Sequence, residues 1–166
     1  MDIDIVPMQE SDWPQVAKIF RAGIETCLAT FETNVPDYNS WDQGHCKPCR
    51  LSARAGADVA GWAALSPLIR RNAYAGVAEA SIYIGDQYKG KGVGKALLNA
   101  LIESSEQNGF WTLHALITRE NTASISLFAK CGFREIGFWE RVGRTPDGVW
   151  HDVLLMERRS RVTGTD

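Results

Sequence analysis

Ile82-Tyr83-Ile84 leads into Gly85-Asp86-Gln87-Tyr88-Lys89-Gly90-Lys91-Gly92-Val93-Gly94-Lys95, and no other stretch constrains the fold as tightly. Val77 to Ile84 is rich in β-branched and aromatic residues and reads as a strand. From Val93 onward, Val93, Ala96, Leu97, Ala100 and Leu101 recur at helical spacing, and the pattern closes near Gly109. A glycine-rich turn between a strand and a helix lets the backbone come close to an anion, and the free N–H groups of the first helical turn point at it. Lys89, Lys91 and Lys95 add three positive charges within seven residues. The segment demands an α/β chain with a phosphate cradle at a helix start.

The remaining elements arrange themselves around that unit. Ile3 and Ile5 alternate with Asp2 and Asp4 in a short strand ended by Pro7. Ser11 or Asp12 can cap a helix with Trp13, Val16, Ala17, Phe20 and Ile24 on one face. Thr26 to Asn34 reads as a loop, and Pro36 to Gln43 as a short helix with proline in its first turn. Leu51–Ala55 and Val59–Leu65 make a hairpin around Gly56-Ala57-Asp58. Strands are predicted at Trp111–Ile117, Phe133–Trp139 and Val149–Met156, and a helix at Thr122–Lys130, stopped by Gly132. With 166 residues and no repeat or linker, the chain is one mixed α/β domain over residues 1–160, followed by a polar tail at 161–166 that is expected to fray.

Charge narrows the partners. Eighteen basic residues against twenty acidic ones leave a net −2, which argues against a dedicated nucleic-acid binder. No apolar run reaches the roughly 18–20 residues that span a bilayer. The acidic start Met1-Asp2-Ile3-Asp4 lacks the order of a secretory signal, so a cytoplasmic location with reduced cysteines is expected. Cys46-Lys47-Pro48-Cys49 has redox spacing but runs into a strand pattern rather than opening a helix, and His45 is the sole third ligand nearby. No metal is expected.

Two phosphate-binding patterns fail on the glycine loop. Gly85 through Lys91 fits seven positions of a P-loop, but Gly92 stands where a magnesium-binding hydroxyl is required. Gly90 and Gly92 begin a dinucleotide fingerprint, but Lys95 occupies its last position. Gln87-Tyr88-Lys89-Gly90-Lys91-Gly92 instead resembles the Gln/Arg-x-x-Gly-x-Gly/Ala signature of the GNAT N-acetyltransferase superfamily, whose order of elements matches nearly the whole chain. The resemblance implies a GNAT fold: a mixed, mostly antiparallel central sheet flanked by helices. It implies acetyl-CoA held by Gln87, Tyr88, Lys89, Gly90, Lys91, Gly92, Val93, Gly94 and Lys95, with Ile82, Tyr83 and Ile84 of the preceding strand. Asn121, Ser124 and Leu127 match further cofactor contacts. Phe128 departs from the family, many of whose members carry there a tyrosine that protonates the leaving thiolate. A thiolate of pKa near ~8.5 can leave without that donor.

Ala29-Thr30-Phe31-Glu32-Thr33, Gly61-Trp62-Ala63, Arg71-Asn72-Ala73-Tyr74, Val77-Ala78-Glu79 and Gly148-Val149-Trp150-His151-Asp152-Val153 resemble one branch, the phosphinothricin and methionine sulfoximine acetyltransferases. That branch implies a homodimer acetylating the α-amine of a small amino-acid-like acceptor by direct attack; a protein N-terminus or polyamine as acceptor, or a non-catalytic acyl-CoA sensor, are the rivals. An α-amine is mostly protonated at neutral pH, and only the neutral form attacks a thioester, so a base is required. Glu79 shares a strand face with Ser81 and Tyr83. His151 has a side chain suited to accepting a proton. Either fits the base. A main-chain amide at Tyr83 or Ile84 would receive the oxyanion. Arg70 or Arg71 could clamp the acceptor carboxylate. Phe31, Glu32 and Tyr74 would shape the pocket.

Overall fold

The computed structural model describes residues 2–166; Met1, where the acidic start begins, lies outside them. Strands β1 (Asp4–Pro7), β2 (Leu51–Ala55), β3 (Asp58–Pro67), β4 (Val77–Ile84), β5 (Thr112–Thr118), β6 (Arg134–Arg144) and β7 (Trp150–Arg159) form one sheet in the order β1-β2-β3-β4-β5-β7-β6. Neighbours are antiparallel except β4 and β5, which run parallel. Helices α1 (Trp13–Glu25), α2 (Tyr38–Gly44), α3 (Val93–Gln107) and α4 (Thr122–Lys130) flank it. This is the mixed, mostly antiparallel architecture expected.

Strand alternation divides the core into two clusters. Ala63, Ala78, Ala80, Leu113, Ala115 and Met156 face α3, whose Leu97, Leu98 and Leu101 are fully buried. Trp62 and Ala64 face the opposite way and meet Val16 and Phe20 of α1 and Trp41 of α2. Burying a leucine contributes roughly 1.5–3 kcal/mol, so three in one helix lock α3 against the sheet and hold its N-terminus in place.

Several boundaries differ from the sequence reading. Asp12 precedes α1, but its carboxylate does not cap the helix. Asp12 is buried and is committed to Arg54, to the Ser52 hydroxyl and to the Gln9 amide, because a buried carboxylate needs a cation and hydrogen bonds more than a helix needs a cap. The second helix is shifted to Tyr38–Gly44, with Asp37 accepting from the Ser40 amide at 2.8 Å. Strand β6 passes Trp139, where the sequence reading ended it, and reaches Arg144. Register shifts between Glu135 and Gly137 and between Trp139 and Gly143 interrupt its alternation. After β7, the Arg159 guanidinium donates to the carbonyls of Trp111, Ser160, Thr163 and Gly164.

One feature of the sheet positions the site. Strand β4 pairs with β3 along its whole length, from Ala78 opposite Pro67 to Ile84 opposite Gly61. It pairs with β5 only at Val77, Ala78 and Glu79. Beyond Glu79 the two parallel strands diverge, and a cleft opens in the middle of the sheet.

Candidate active site

The amides facing that cleft follow from strand geometry. The Gly85 N–H donates to the Ala60 carbonyl at 2.8 Å, on the β3 side. Amides alternate sides along a strand, so Tyr83 and Ser81 also turn toward β3, while Ile82 and Ile84 turn their N–H groups into the cleft. Of the two amides considered for the oxyanion, the alternation leaves that of Ile84 on the open side, joined by that of Ile82.

The glycine loop lies at the wide end of the cleft. Gly90 and Gly92 have φ of 72° and 83°, and a Cβ at either would meet open space. Glycine is required there by the backbone alone. Gly92 is the N-cap of the 15-residue α3 and has no side chain to satisfy the first amides, so those donors are left for an anion. Gly94 serves a different purpose: a Cβ would come 3.1 Å from Leu127 Cδ2 and 3.7 Å from Ile84 Cγ1. That close approach brings α3, α4 and the end of β4 together. Lys91 and Lys95 are exposed, while Lys89 pairs with Asp86 at 2.6 Å. Tyr88 has its ring in the core, so its side chain anchors the loop from beneath. Asn121 is the N-cap of α4 and accepts from the Ser124 amide at 3.3 Å. Ser124 reaches the cleft. An open glycine cradle, unpaired helix amides and free lysines suit a pyrophosphate-bearing cosubstrate.

Below the loop the cleft widens into a cavity of about 740 Å³. Glu79, Ser81, Ile82 and Tyr83 line it from β4, Ala115 to Thr118 from β5, and Phe31 and Glu32 from the loop after α1. Glu79 has no hydrogen-bond partner among the described residues, and burial raises its carboxyl pKa. Burial, together with the nearby Glu79 and Glu32, pushes the Tyr83 phenol up to about 12, so it remains protonated at working pH. Its ring stacks on Trp62 at 4.8 Å.

His151 is placed differently. It is only 5% exposed. Its Nδ1 lies 3.0 Å from Glu120 Oε2, and its Nε2 lies 3.0 Å from Thr145 Oγ1. It meets the cavity wall through Phe31, with ring centroids 6.3 Å apart. Both nitrogens are engaged away from Glu79. Arg70, Arg71 and Tyr74 are exposed in the loop joining β3 to β4 and are absent from the cavity wall of their own chain. The arrangement therefore brings Glu79, Tyr83, Phe31 and Glu32 together with the glycine loop and leaves the two arginines outside.

The sequence reading missed an aromatic wall. Trp41 and His45 from α2 and its end, with Trp62 and Phe20, line the same cavity. His45 stacks on Trp41 at 4.2 Å, and its Nδ1 lies 2.7 Å from the Trp41 carbonyl. Burial lowers the His45 pKa, so the neutral ring donates through Nδ1. The available signal was the spacing of Tyr38, Trp41 and His45, three and four residues apart on one helical face. Cys46 and Cys49 are free thiols whose pKa values are raised by burial. Among the described residues no group of His, Cys, Asp or Glu is disposed to hold a metal ion, and no helix is long and apolar enough to cross a membrane.

Comparison with known proteins agrees with this geometry. The model of the acetyltransferase (GNAT) family matches residues 13–133. An L-methionine sulfoximine/L-methionine sulfone acetyltransferase of Pseudomonas aeruginosa is 34% identical over 153 residues, covering 89% of this chain and 88% of that protein. The crystal structure of a GNAT superfamily phosphinothricin acetyltransferase from Sinorhizobium meliloti in complex with AcCoA superposes with a TM-score of 0.88 at 26% identity, covering 100% of this chain and 92% of that one. A ribosomal-protein-alanine N-acetyltransferase from Brucella melitensis superposes with a TM-score of 0.86 at 28% identity, covering 95% and 99%. A sheet split between β4 and β5 beside a glycine cradle, together with these likenesses, places the chain in the GNAT family, as an acetyl-CoA-dependent N-acetyltransferase whose relatives include enzymes for phosphinothricin and methionine sulfoximine.

Proposed function

We propose that the enzyme, a cytoplasmic homodimer with its catalytic unit in residues 1–160, acetylates the α-amine of a small amino-acid-like acceptor of the phosphinothricin or methionine sulfoximine type. The observation that carries this reading is Glu79: a half-buried carboxylate with no hydrogen-bond partner among the described residues, in a cavity about 740 Å³ in volume, at the point where β4 leaves β5. A cavity of that size suits a small molecule.

In this reading acetyl-CoA enters along the cleft, its phosphates against the amides at the start of α3 and near Lys91 and Lys95. Bound there, it supplies the activated acetyl group. Glu79 takes the proton from the acceptor ammonium. The amine attacks the carbonyl carbon, and the amides of Ile82 and Ile84 face the developing oxyanion; one such donor is worth about 3–4 kcal/mol. The thiolate then leaves and takes up the remaining proton of the adduct's nitrogen, so the products are the amide and free thiol. Glu32 and the aromatic wall of Trp41, Trp62 and Phe31 hold the acceptor. His151 supports the wall at Phe31 instead of acting as the base. Since Arg71 lies outside its own cavity, clamping of the acceptor carboxylate calls for the partner subunit or for closure of its loop.

Thiol release from acetyl-CoA tests the assignment. Methionine sulfoximine, phosphinothricin, polyamines and peptides with N-terminal alanine should be offered in parallel. Turnover confined to the first two is expected. Turnover with the alanine peptides alone would favour an acceptor like that of the Brucella melitensis relative.

A further inference from the structure

We propose that Glu79 is the inner end of a row of side chains that carries its proton across the sheet, with His114 as the positioning residue that acts on it; this rests on Glu79 being the base.

The row is set by register. Glu79 on β4 is paired with His114 on β5, His114 with Glu157 on β7, and Glu157 with Arg134 on β6. Adjacent strands lie about 4.8 Å apart, and residues in register project from the same face. The residues next to them, Ala78, Leu113 and Met156, are buried under α3, which puts the row on the opposite, cavity face. His114 Nε2 lies 3.6 Å from Glu157 Oε2, and Arg134 donates to Glu157 Oε1 at 2.8 Å. Side-chain exposure rises outward, from 18% at His114 and 20% at Glu157 to 71% at Arg134. Four strands thus connect a half-buried carboxylate to bulk water through an imidazole and a carboxylate, with the Arg134 guanidinium as a fixed charge at the outer end.

Such a row answers a need of the reaction. One ammonium proton moves to the Glu79 carboxylate and the nitrogen lone pair forms the C–N bond. The C–S bond then breaks with its electron pair going to sulfur, and the adduct's second ammonium proton goes to that thiolate, leaving the neutral amide and the free thiol. Glu79 must then lose that proton while acceptor and cosubstrate fill the cavity. Glu79 and His114 make no direct ion pair among the described residues, so in this proposal the proton crosses between them through solvent in the cleft. The imidazole takes the proton beside the Glu157 carboxylate and releases it to solvent at the Arg134 end. Protonated His114 also favours ionised Glu79. The other titratable side chains lining the cavity with Glu79 are Tyr83, Glu32 and His45, and none of these lies on β5 or β7, the strands that lead to the β6 edge.

The test is the pH profile of kcat for the intact enzyme with saturating acetyl-CoA and acceptor. In wild type, kcat should fall on the acid side as Glu79 becomes protonated. His114→Gln removes the relay and the neighbouring cation. Its acid limb should move to higher pH, kcat at neutral pH should fall about fivefold with KM for acetyl-CoA unchanged, and added imidazole should restore part of the loss. Glu157→Gln keeps the imidazole but removes its counter-charge, and its limb should move the same way by less. If Glu79→Gln abolishes the acid limb while His114→Gln and Glu157→Gln leave it in place, the row is wrong and the base stands. If Glu79→Gln leaves the limb unchanged, the base reading itself fails. Should His114→Gln not fold, the Glu157→Gln limb decides alone, and an unmoved limb overturns the proposal.

Discussion

A half-buried carboxylate without a hydrogen-bond partner among the described residues carries its charge with less hydration, and at Glu79 this raises the carboxyl pKa. Because its folded pKa is raised, the native state binds a proton that the unfolded chain has already released, so between those two pKa values stability falls as pH rises. Glu79→Gln removes this penalty. The variant should melt at a higher temperature than wild type at pH 8, and the difference should close as pH falls through the ordinary carboxylate range; differential scanning calorimetry across pH measures it. The same substitution should lower kcat by about 10²-fold or more, the usual contribution of a general base. Greater stability with lower activity is the signature of a residue kept for chemistry. A variant both less stable and less active would indicate a packing role. Tyr83 gives the complementary case: its phenol, pushed up to about 12, can donate a hydrogen bond at neutral pH but cannot act as a base. Tyr83→Phe should therefore leave the acid limb of the pH profile where it is.

At the scale of elements, the glycines divide by mechanism. Gly92, with φ of 83° and open space around a Cβ, is required for its conformation. Gly92→Ala should cost about 1–2 kcal/mol of strain and raise KM for acetyl-CoA, read from initial rates at saturating acceptor. Gly143 on β6 is required for space, since a Cβ there would come 2.3 Å from Phe31 Cζ. Gly143→Ala should drive Phe31 from the cavity wall and raise KM for the acceptor, with that for acetyl-CoA unchanged. These elements were not equally legible in the sequence. Strand β4 and helix α4 fall where hydrophobic periodicity and the Gly132 stop put them, because one buried face dictates each pattern. The end of β6 was hidden by its exposure and by two register shifts, which break the alternation that marks a strand. The cleft was hidden for another reason: β4 and β5 keep an ordinary strand pattern on both sides of the point where they part, and divergence leaves no trace in composition. Arg71 is expected at the acceptor from the branch resemblance of Arg71-Asn72-Ala73-Tyr74 and the fit of arginine to a carboxylate, whereas in its own chain the turn at Asn72–Tyr74 leaves it outside the cavity wall.

For the whole molecule, the question is what covers the last two strands. Strand β6 is the sheet edge, with nearly every residue exposed. Ile136, Phe138, Trp139 and Val142 on it, and Val149 and Trp150 beside them, are each 40–50% exposed. A long apolar edge strand invites association. Arg119 lies over the Phe138 ring at 4.7 Å, and Arg141 and Arg144 lie 5.9 Å from Trp150, so cations rim the patch as they do many protein interfaces. Trp139, Val142 and Gly143 also line the cavity, which makes the patch continuous with the acceptor site. A second copy seated there would cover apolar surface and border the cavity at once. Light scattering should give twice the chain mass. Ile136→Glu combined with Phe138→Glu places two charges on the patch outside the cavity wall and should give a single-chain mass. The monomer should retain affinity for acetyl-CoA, whose cradle lies at the start of α3, and lose affinity for the acceptor. Retained acceptor KM in a monomer would mean that each cavity is complete within one chain, and Arg71 would then have to act by closure of its own loop.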